Sequence, residues 1–144
     1  MNYYERIQKA IDFLEHNLEN DIKAEDAAKE AYMSVSNFYR LFFAITGYQV
    51  KEYLINRRIS LAAEDIRINQ MKVLDAAVKY AYTSSDAFSR IFKKVTGYSP
   101  STYSRGMVNY KFERIHLMDK YFEIPDEEMN EQYPDIKVLK EMQP

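Results

Sequence analysis

Two arginines occupy the same place in a pattern that occurs twice in this chain. The pattern is Phe-x-Arg-(Leu/Ile)-Phe, followed after three residues by Thr-Gly-Tyr, and it runs from Phe38 to Tyr48 and from Phe88 to Tyr98. The arginines are Arg40 and Arg90. A guanidinium group presents planar donors in a fixed fork, which can bind a phosphate or a guanine edge through two hydrogen bonds. Two such donors in one short chain suggest a protein that grips its partner with two similar modules.

The repeat extends upstream of the arginines. Asp26-Ala-Ala28 matches Asp75-Ala-Ala77 at an offset of 49 residues, whereas the arginine pattern repeats at an offset of 50. The second copy therefore carries one extra residue between these segments. Because loops tolerate insertions better than packed helices do, this position predicts a turn between two helices.

The first copy separates into an apolar face and a polar face when it is read as a helix. Phe38, Leu41, Phe42 and Ile45 recur at helical spacing and are expected to be buried. The residues left for the outer face are Val35, Ser36, Asn37, Tyr39 and Arg40. Asparagine can pair with adenine and arginine with guanine, so these residues are candidates for DNA contacts. A surface salt bridge is the alternative role for the arginine, and Ser34 is expected to cap the helix.

The second copy separates in the same way. Phe88, Ile91, Phe92 and Val95 are expected to be buried. The outward candidates for DNA contacts are Ser85, Asp86, Ser89, Arg90, Lys93 and Lys94. The two lysines either contact phosphates or only keep the helix soluble. The carboxylate of Asp86 could accept a hydrogen bond from cytosine, but it is better placed to stabilise the N-terminus of the helix.

The first 105 residues predict an all-α fold. Apolar residues recur at three- and four-residue spacing, and Gly47 and Gly97 stand where helices should end. The predicted helices are residues 3–19, 23–30, 34–45, 50–66, 73–80, 85–95 and 100–103. Tyr48, Tyr98 and Tyr103 are expected to pack structurally rather than to stack on bases.

The last 39 residues differ in charge from the rest of the chain. Residues 1–105 hold 15 basic and 13 acidic residues, for a net charge of +2, whereas residues 106–144 hold 5 and 9, for a net charge of −4. We expect this acidic tail to be mostly irregular or partly helical, with a short helix from Pro125 and one strand over Ile136–Leu139. A lone strand needs partners, so either this segment pairs in an oligomer or it opens a domain that the chain does not contain. On the second alternative, residues 106–144 are a linker and the start of an effector-binding domain.

The composition excludes several other classes of protein. The chain has no cysteine, and its two histidines, His16 and His116, are isolated, so we expect neither a metal site nor another cofactor. No catalytic nucleophile–base constellation and no Gly-rich phosphate loop occurs, and an enzyme is not expected. A membrane span and a signal peptide are also missing from the sequence, which fits a cytoplasmic protein.

These residues resemble the DNA-binding domain of the AraC/XylS family of bacterial transcription regulators. Met33-Ser34 with the first pattern, and Ala87 to Tyr103 as a nearly unbroken segment, match the two motifs of that family. The resemblance implies two helix-turn-helix subdomains, about 1–49 and 67–105, joined by a helix over about 50–66. It also implies sequence-specific binding of double-stranded DNA, with two recognition helices in adjacent major grooves. A connecting helix of about 18–20 residues is roughly 27–30 Å long, close to the ~34 Å between such grooves.

One feature departs from the family pattern. The family commonly has glycine at the tight turn before each recognition helix, where this chain has Tyr32 and Ala81. Glycine is used where φ is positive, and other residues pay an energetic penalty there. Either these turns take another conformation or the fold absorbs the strain.

The weak positive charge of the first 105 residues leaves a second function open. The same helices could form a protein-interaction or dimerisation module with weak affinity for DNA. The resemblance further implies RNA polymerase as a partner, and a small-molecule effector only if a further domain exists. It leaves a homodimer open, and residues 111–144 resemble the lead-in to an effector domain of the gyrase-inhibitor-like type.

Overall fold

The computed structural model describes residues 1–106 and 108–117, and every regular element in those ranges is helical. The helices in chain order are α1 (Tyr3–His16), α2 (Asp26–Glu30), α3 (Val35–Thr46), α4 (Val50–Arg67), α5 (Val73–Lys79), α6 (Ser85–Thr96) and α7 (Pro100–Arg105). The all-α prediction is therefore confirmed for the described residues. The acidic helix from Pro125 and the strand Ile136–Leu139 lie outside them.

The chain divides into two compact units. The first contains Met1–His16, Lys23–Tyr53 and residues 115–117, and the second contains Asn17–Ile22 and Leu54–Arg114. α1, α2 and α3 belong to the first unit, and α5, α6 and α7 to the second. α4 contains residues of both.

The core of the first unit is built from the apolar stripes of its helices. Ile7, Ile11 and Leu14 of α1 are fully buried, as are Phe38 and Phe42 of α3. Ala27 and Ala28 of α2 are also buried, and their small side chains let a neighbouring helix approach closely. The ring of Phe42 meets the rings of Phe38 and Tyr53 edge-on, with centroids 5.7 Å apart in each pair. Such edge-to-face geometry stabilises aromatic pairs beyond simple burial.

The second unit repeats this arrangement with equivalent residues. Ala76 and Ala77 replace the alanine pair, and Phe88 and Phe92 replace the two phenylalanines. The ring of Tyr103 lies edge-on to Phe92 at 5.3 Å, as Tyr53 does to Phe42. Tyr103 was expected to pack and does. Tyr98 was also expected to pack but is exposed; it follows the left-handed Gly97, which ends α6 and turns the chain away.

Each recognition-type helix follows a left-handed turn. Tyr32 has a φ of 56° and Ala81 a φ of 66°. In the first turn, the N–H of Met33 donates to the carbonyl of Ala28 at 3.1 Å. In the second, the N–H of Tyr82 donates to the carbonyl of Ala77 at 2.9 Å. Hydrogen bonds of this kind end a helix through a left-handed residue, which is normally glycine. The sequence left open whether the two turns take another conformation or whether the fold absorbs the strain, and the second alternative is correct.

The first turn is held by an arginine. Arg6 of α1 donates from Nε to the carbonyl of Ala31 at 2.8 Å and from Nη2 to the carbonyl of Tyr32. Carbonyls at the end of a helix lack partners within it. A charged donor on two of them stabilises both the helix end and the turn that follows.

The end of α5 in the second unit is held by a carboxylate instead. Asp65 is buried and accepts hydrogen bonds from the hydroxyl of Tyr80, from Nζ of Lys79 at 2.9 Å and from the amide of Asn69 at 2.9 Å. Burial by itself would raise the pKa of Asp65. The hydrogen bonds from Tyr80, Lys79 and Asn69 outweigh that effect, so the pKa is lowered.

Residues 108–116 are irregular but anchored. In the second unit, the N–H of Tyr110 donates to the hydroxyl of Tyr103 at 2.8 Å and that of Phe112 to Oγ of Ser60 at 2.9 Å. In the first unit, the N–H of Ile115 donates to the hydroxyl of Tyr53 at 3.3 Å. An irregular segment has no regular pattern of backbone hydrogen bonds, so side chains of the helical units accept hydrogen bonds from its N–H groups.

Two helices are each three residues shorter than the sequence predicts. α1 ends at His16 rather than at residue 19. The chain turns there, with the N–H of Asn20 donating to the carbonyl of Asn17 at 3.0 Å, and the carbonyls of Leu18 and Asn20 accept from the guanidinium of Arg58. α2 begins at Asp26 rather than at Lys23. There the carboxylate of Asp26 accepts from the N–H of Lys23 at 2.8 Å, which favours a cap over an earlier helical turn.

The left-handed Ala81 gives a prediction about stability. A left-handed conformation costs a non-glycine residue about 1–2 kcal/mol, and the greater unfolded-state entropy of glycine offsets about 0.4–1 kcal/mol of that. Ala81→Gly should therefore raise the free energy of unfolding by about 0.5–1 kcal/mol in urea denaturation. Ala44→Gly, inside the right-handed α3, is the control and should lower it by about 1 kcal/mol. A loss of stability in Ala81→Gly would show that the turn is not strained.

The Asp65 network gives a prediction about pH. A carboxyl group with a lowered folded-state pKa stabilises the fold above its unfolded pKa of about 3.9 and loses that contribution as the pH falls through the folded pKa. Asp65→Asn should reduce the free energy of unfolding at neutral pH by about 1–3 kcal/mol. The difference from the wild type should shrink as the pH falls below about 4. Urea unfolding followed by circular dichroism measures it, with the exposed Asp75→Asn as control. A pH-independent difference would rule out the charged form as the stabilising one.

Candidate nucleic-acid interface

α3 and α6 are built alike from their first residue to their last. Each has 12 residues, and each begins after a serine whose Oγ accepts a backbone N–H, Ser34 from Asn37 and Ser84 from Ala87. Each ends at a left-handed glycine, Gly47 or Gly97, whose N–H donates to a carbonyl four residues back at 2.8 Å. The expected capping role of Ser34 is therefore confirmed. The two helices therefore have the same length and caps, and each buries two phenylalanines at equivalent positions. Ile91 and Val95 of α6, which were expected to be buried, are half-buried.

The outer face of α3 carries every candidate residue from the first copy. The exposed side chains are Val35, Ser36, Asn37, Tyr39 and Arg40. Phe38, Leu41, Phe42 and Ile45 are buried, as their spacing predicted. These five residues therefore lie on one accessible helix face, where base edges or phosphates could reach them.

α6 presents only part of its predicted set. Asp86, Arg90, Lys93 and Lys94 are exposed, whereas Ser85 and Ser89 are half-buried. Arg90 lies fifty positions after Arg40 and is exposed like it. The lysines lie in the last turn of the helix, where cations also complement the helix dipole. The available chemistry on α6 is mainly that of positive charge.

The electrostatics of α3 differ from those of α6. Slight burial, and then the negative charges of Glu25 and Asp26, raise the pKa of Tyr39. Its phenol is therefore neutral at physiological pH and can donate as well as accept a hydrogen bond. The acidic start of α2 also reduces the positive potential around this helix, so α3 is less suited than α6 to act through charge alone.

Two arginines beside the repeats have structural roles. Arg57 donates from Nη1 to the carbonyl of Phe112, and Arg58 donates to the carbonyls of Leu18 and Asn20 at 3.0 and 2.6 Å. Both hold irregular segments of the second unit. Their positive charge therefore contributes less to a surface for nucleic acid than their number in the sequence suggests.

The structure adds residues that the sequence analysis missed. An open groove of about 650 Å³ lies along α3, lined by Ser36, Tyr39, Arg40, Phe43, Gln49, Val50 and Lys51. The sequence analysis assigned Phe43 to neither face of the helix, and its ring is exposed. Its counterpart at the same place in the second copy, Lys93, is charged. A charged residue at the equivalent position could have indicated from the sequence that Phe43 is exposed.

Among the described residues, no group of three or more His, Asp or Glu side chains could hold a metal ion. None of the described helices has the length and apolarity needed to cross a membrane.

The architecture, with two helix-turn-helix units in tandem, defines a class of DNA-binding fold. A model of a helix-turn-helix domain family matches residues 27–106. The chain is 32% identical over 110 residues to the transposon Tn10 TetD protein of Escherichia coli, which covers 76% of this chain and 79% of that one. It is also 32% identical over 104 residues to the transcriptional activator AarP of Providencia stuartii, with coverage of 72% and 77%. The chain belongs to the AraC-type helix-turn-helix family, as its motifs indicated.

Solved structures agree with this assignment. The DNA-binding domain of AdpA, described as a global transcriptional factor and solved in complex with a target DNA, has a TM-score of 0.64 and 27% identity, covering 73% of this chain and 92% of that one. The C-terminal domain of the response regulator AraT from Geobacillus stearothermophilus has a TM-score of 0.67 at 23% identity, covering 77% and 93%. The second likeness shows the fold alone. The family consists of DNA-binding regulators rather than enzymes, which agrees with the sequence analysis.

Proposed function

We propose that this chain is a sequence-specific DNA-binding transcription regulator that inserts α3 and α6 into adjacent major grooves of one duplex. One observation carries the proposal. Two helices of equal length, with the same caps and the same buried pair of phenylalanines, each expose an arginine at the same position, Arg40 and Arg90. Family membership and the DNA complex of the AdpA domain support it.

The length of α4 supports binding by a single copy of the chain. Its 18 residues correspond to about 27 Å, and recognition helices one helical turn apart on one face of DNA are separated by about 34 Å. We therefore retain the subdomain bounds of about 1–49 and 67–105 with the connecting helix between them.

The regulatory step in the proposal is recruitment or exclusion of RNA polymerase at a promoter. The name of AarP describes an activator, which supports recruitment. A small-molecule effector belongs to the proposal only if a further, effector-binding domain exists.

The two arginines can be tested with a duplex selected from a random pool and labelled for fluorescence anisotropy. Arg40→Ala and Arg90→Ala should each weaken binding by about 5- to 100-fold, because an arginine–guanine pair discriminates by about 1–3 kcal/mol. Lys93→Ala and Lys94→Ala should weaken binding to all DNA sequences by a similar factor. Each should also reduce the slope of log affinity against log salt by about one. The melting temperatures should not change.

The control for these variants is Lys111→Ala, which removes an exposed charge from the segment after α7. It should bind like the wild type. Unchanged affinity in both arginine variants, with the duplex still bound, would exclude α3 and α6 as reading helices.

A dimerisation function is the second candidate, and one observation favours it. Leu74 and Val78 lie one turn apart on α5 and are 60% and 68% exposed. The first copy has the exposed charged residues Glu25 and Lys29 at the equivalent positions, 49 residues earlier. The fold therefore does not require apolar side chains there, and a contact between two copies of the chain would use them.

Light scattering after size-exclusion chromatography tests this candidate. A dimer that becomes monomeric in the double variant Leu74→Glu/Val78→Lys, which copies the first repeat, would support it. A wild-type protein that is monomeric at concentrations up to about 100 µM, far above those of tight specific complexes, would reject it. Because these residues lie outside α3 and α6, the double variant should bind DNA with the affinity of the wild type at protein concentrations at which both are monomeric.

A further inference from the structure

The exposed face of α3 carries a line of apolar side chains. Val35, Tyr39 and Phe43 are 42%, 41% and 52% exposed. Residues four positions apart lie one above the other on a helix, so the three form a continuous stripe about 12 Å long at ~1.5 Å per residue. Large apolar side chains in such a row on an accessible face indicate a ligand with apolar groups of its own.

The second copy shows that packing does not require this stripe. The residues at the equivalent positions of α6 are Ser85, Ser89 and Lys93, yet α6 has the same length, caps and buried phenylalanines. The stripe is therefore a difference in what the two helices present. α3 offers apolar surface where α6 offers hydroxyls and a positive charge.

The stripe borders the groove along α3. Tyr39 and Phe43 line it together with Arg40 and Lys51, and none of its lining residues, all of which are described, is acidic. A helical side chain leans toward the N-terminus of its helix, which brings the ring of Phe43 toward Arg40. Apolar surface beside two cations suits a ligand that carries exposed methyl groups along a chain of negative charge.

We propose that α3 reads thymine methyl groups in the major groove through Val35, Tyr39 and Phe43, with Phe43 as a specificity-determining residue. Thymine alone among the four bases presents a methyl group in that groove, and a flanking phosphate meets Lys51, while Arg40 keeps the base contact given it by the proposed function. This inference rests on the proposed function. The two halves of the target then differ in chemistry. The half bound by α3 requires thymines at fixed places, and the half bound by α6 depends more on charge.

The test replaces thymine by deoxyuridine, which lacks only the methyl group. A duplex is first selected from a random pool, and each thymine in turn is substituted. At one or more positions in the half protected by the first unit, substitution should weaken binding of the wild type about fourfold, the factor for one methyl group removed from water. Phe43→Ala should abolish that discrimination, whereas Phe43→Leu, which keeps an apolar contact, should retain part of it.

The repeat supplies the matched controls. Lys93→Ala alters the same position of α6 and should leave the discrimination between thymine and deoxyuridine unchanged. Phe43→Lys, which copies α6, should lose the discrimination and increase the slope of log affinity against log salt by about one. Because Phe43 is exposed, the melting temperature of each variant should match that of the wild type.

Three results would overturn the inference. If the wild type binds the selected duplex and no deoxyuridine substitution weakens it, methyl reading is excluded while the proposed function stands. If Phe43→Ala keeps the full discrimination, Phe43 is not the reader. If the wild type binds no duplex with salt-dependent affinity, the proposed function fails together with this inference, and the stripe belongs to a contact with another protein.

Discussion

The left-handed turn before each recognition-type helix is the constraint on which the rest of the structure depends. It sets the direction in which α3 leaves α2 and α6 leaves α5, and therefore which face of each helix stays accessible. Tyr32 and Ala81 hold this conformation without glycine, so the strain must be offset by neighbouring contacts. The paired alanines of α2 and α5 contribute, because their burial at 0–1% exposure seats each short helix against its core.

The two units offset this strain by different chemistry. In the first, the guanidinium of Arg6 binds the carbonyls that close α2. In the second, the carboxylate of Asp65 binds the side chains of Tyr80 and Lys79 at the end of α5. The same left-handed turn is thus compatible with an arginine in one unit and a carboxylate in the other, since each gives polar groups near the end of the short helix a charged partner. The repeat preserves the left-handed turn and the buried pairs of alanines and phenylalanines, while the polar contacts around them have diverged.

Sequence reasoning found the elements that carry their own local signals. A serine cap before α3, the terminal glycines and three- and four-residue spacing predicted α3 and α6 to within about one residue, because those signals act within a few residues of the chain. The early end of α1 has no glycine or capping signal of this kind, and the segment after it is held by Arg58, which is 40 positions away from Leu18. The exposure of Phe43 was missed for a different reason. The apolar face read from the sequence was complete without it, so Phe43 was assigned to neither face, and the structure shows that its ring is exposed.

The divergence of the two outer faces explains how a chain with a net charge of −2 can be suited to a polyanion. Affinity for phosphate needs positive charge only where the duplex lies, and α6 concentrates Arg90, Lys93 and Lys94 within five residues. α3 then need not supply the same charge, and its surface can be given to contacts that distinguish bases. Glu25 and Asp26, close enough to α3 to influence Tyr39, weaken nonspecific attraction there without opposing an apolar contact. A tandem repeat can in this way divide affinity and discrimination between two copies of one helix.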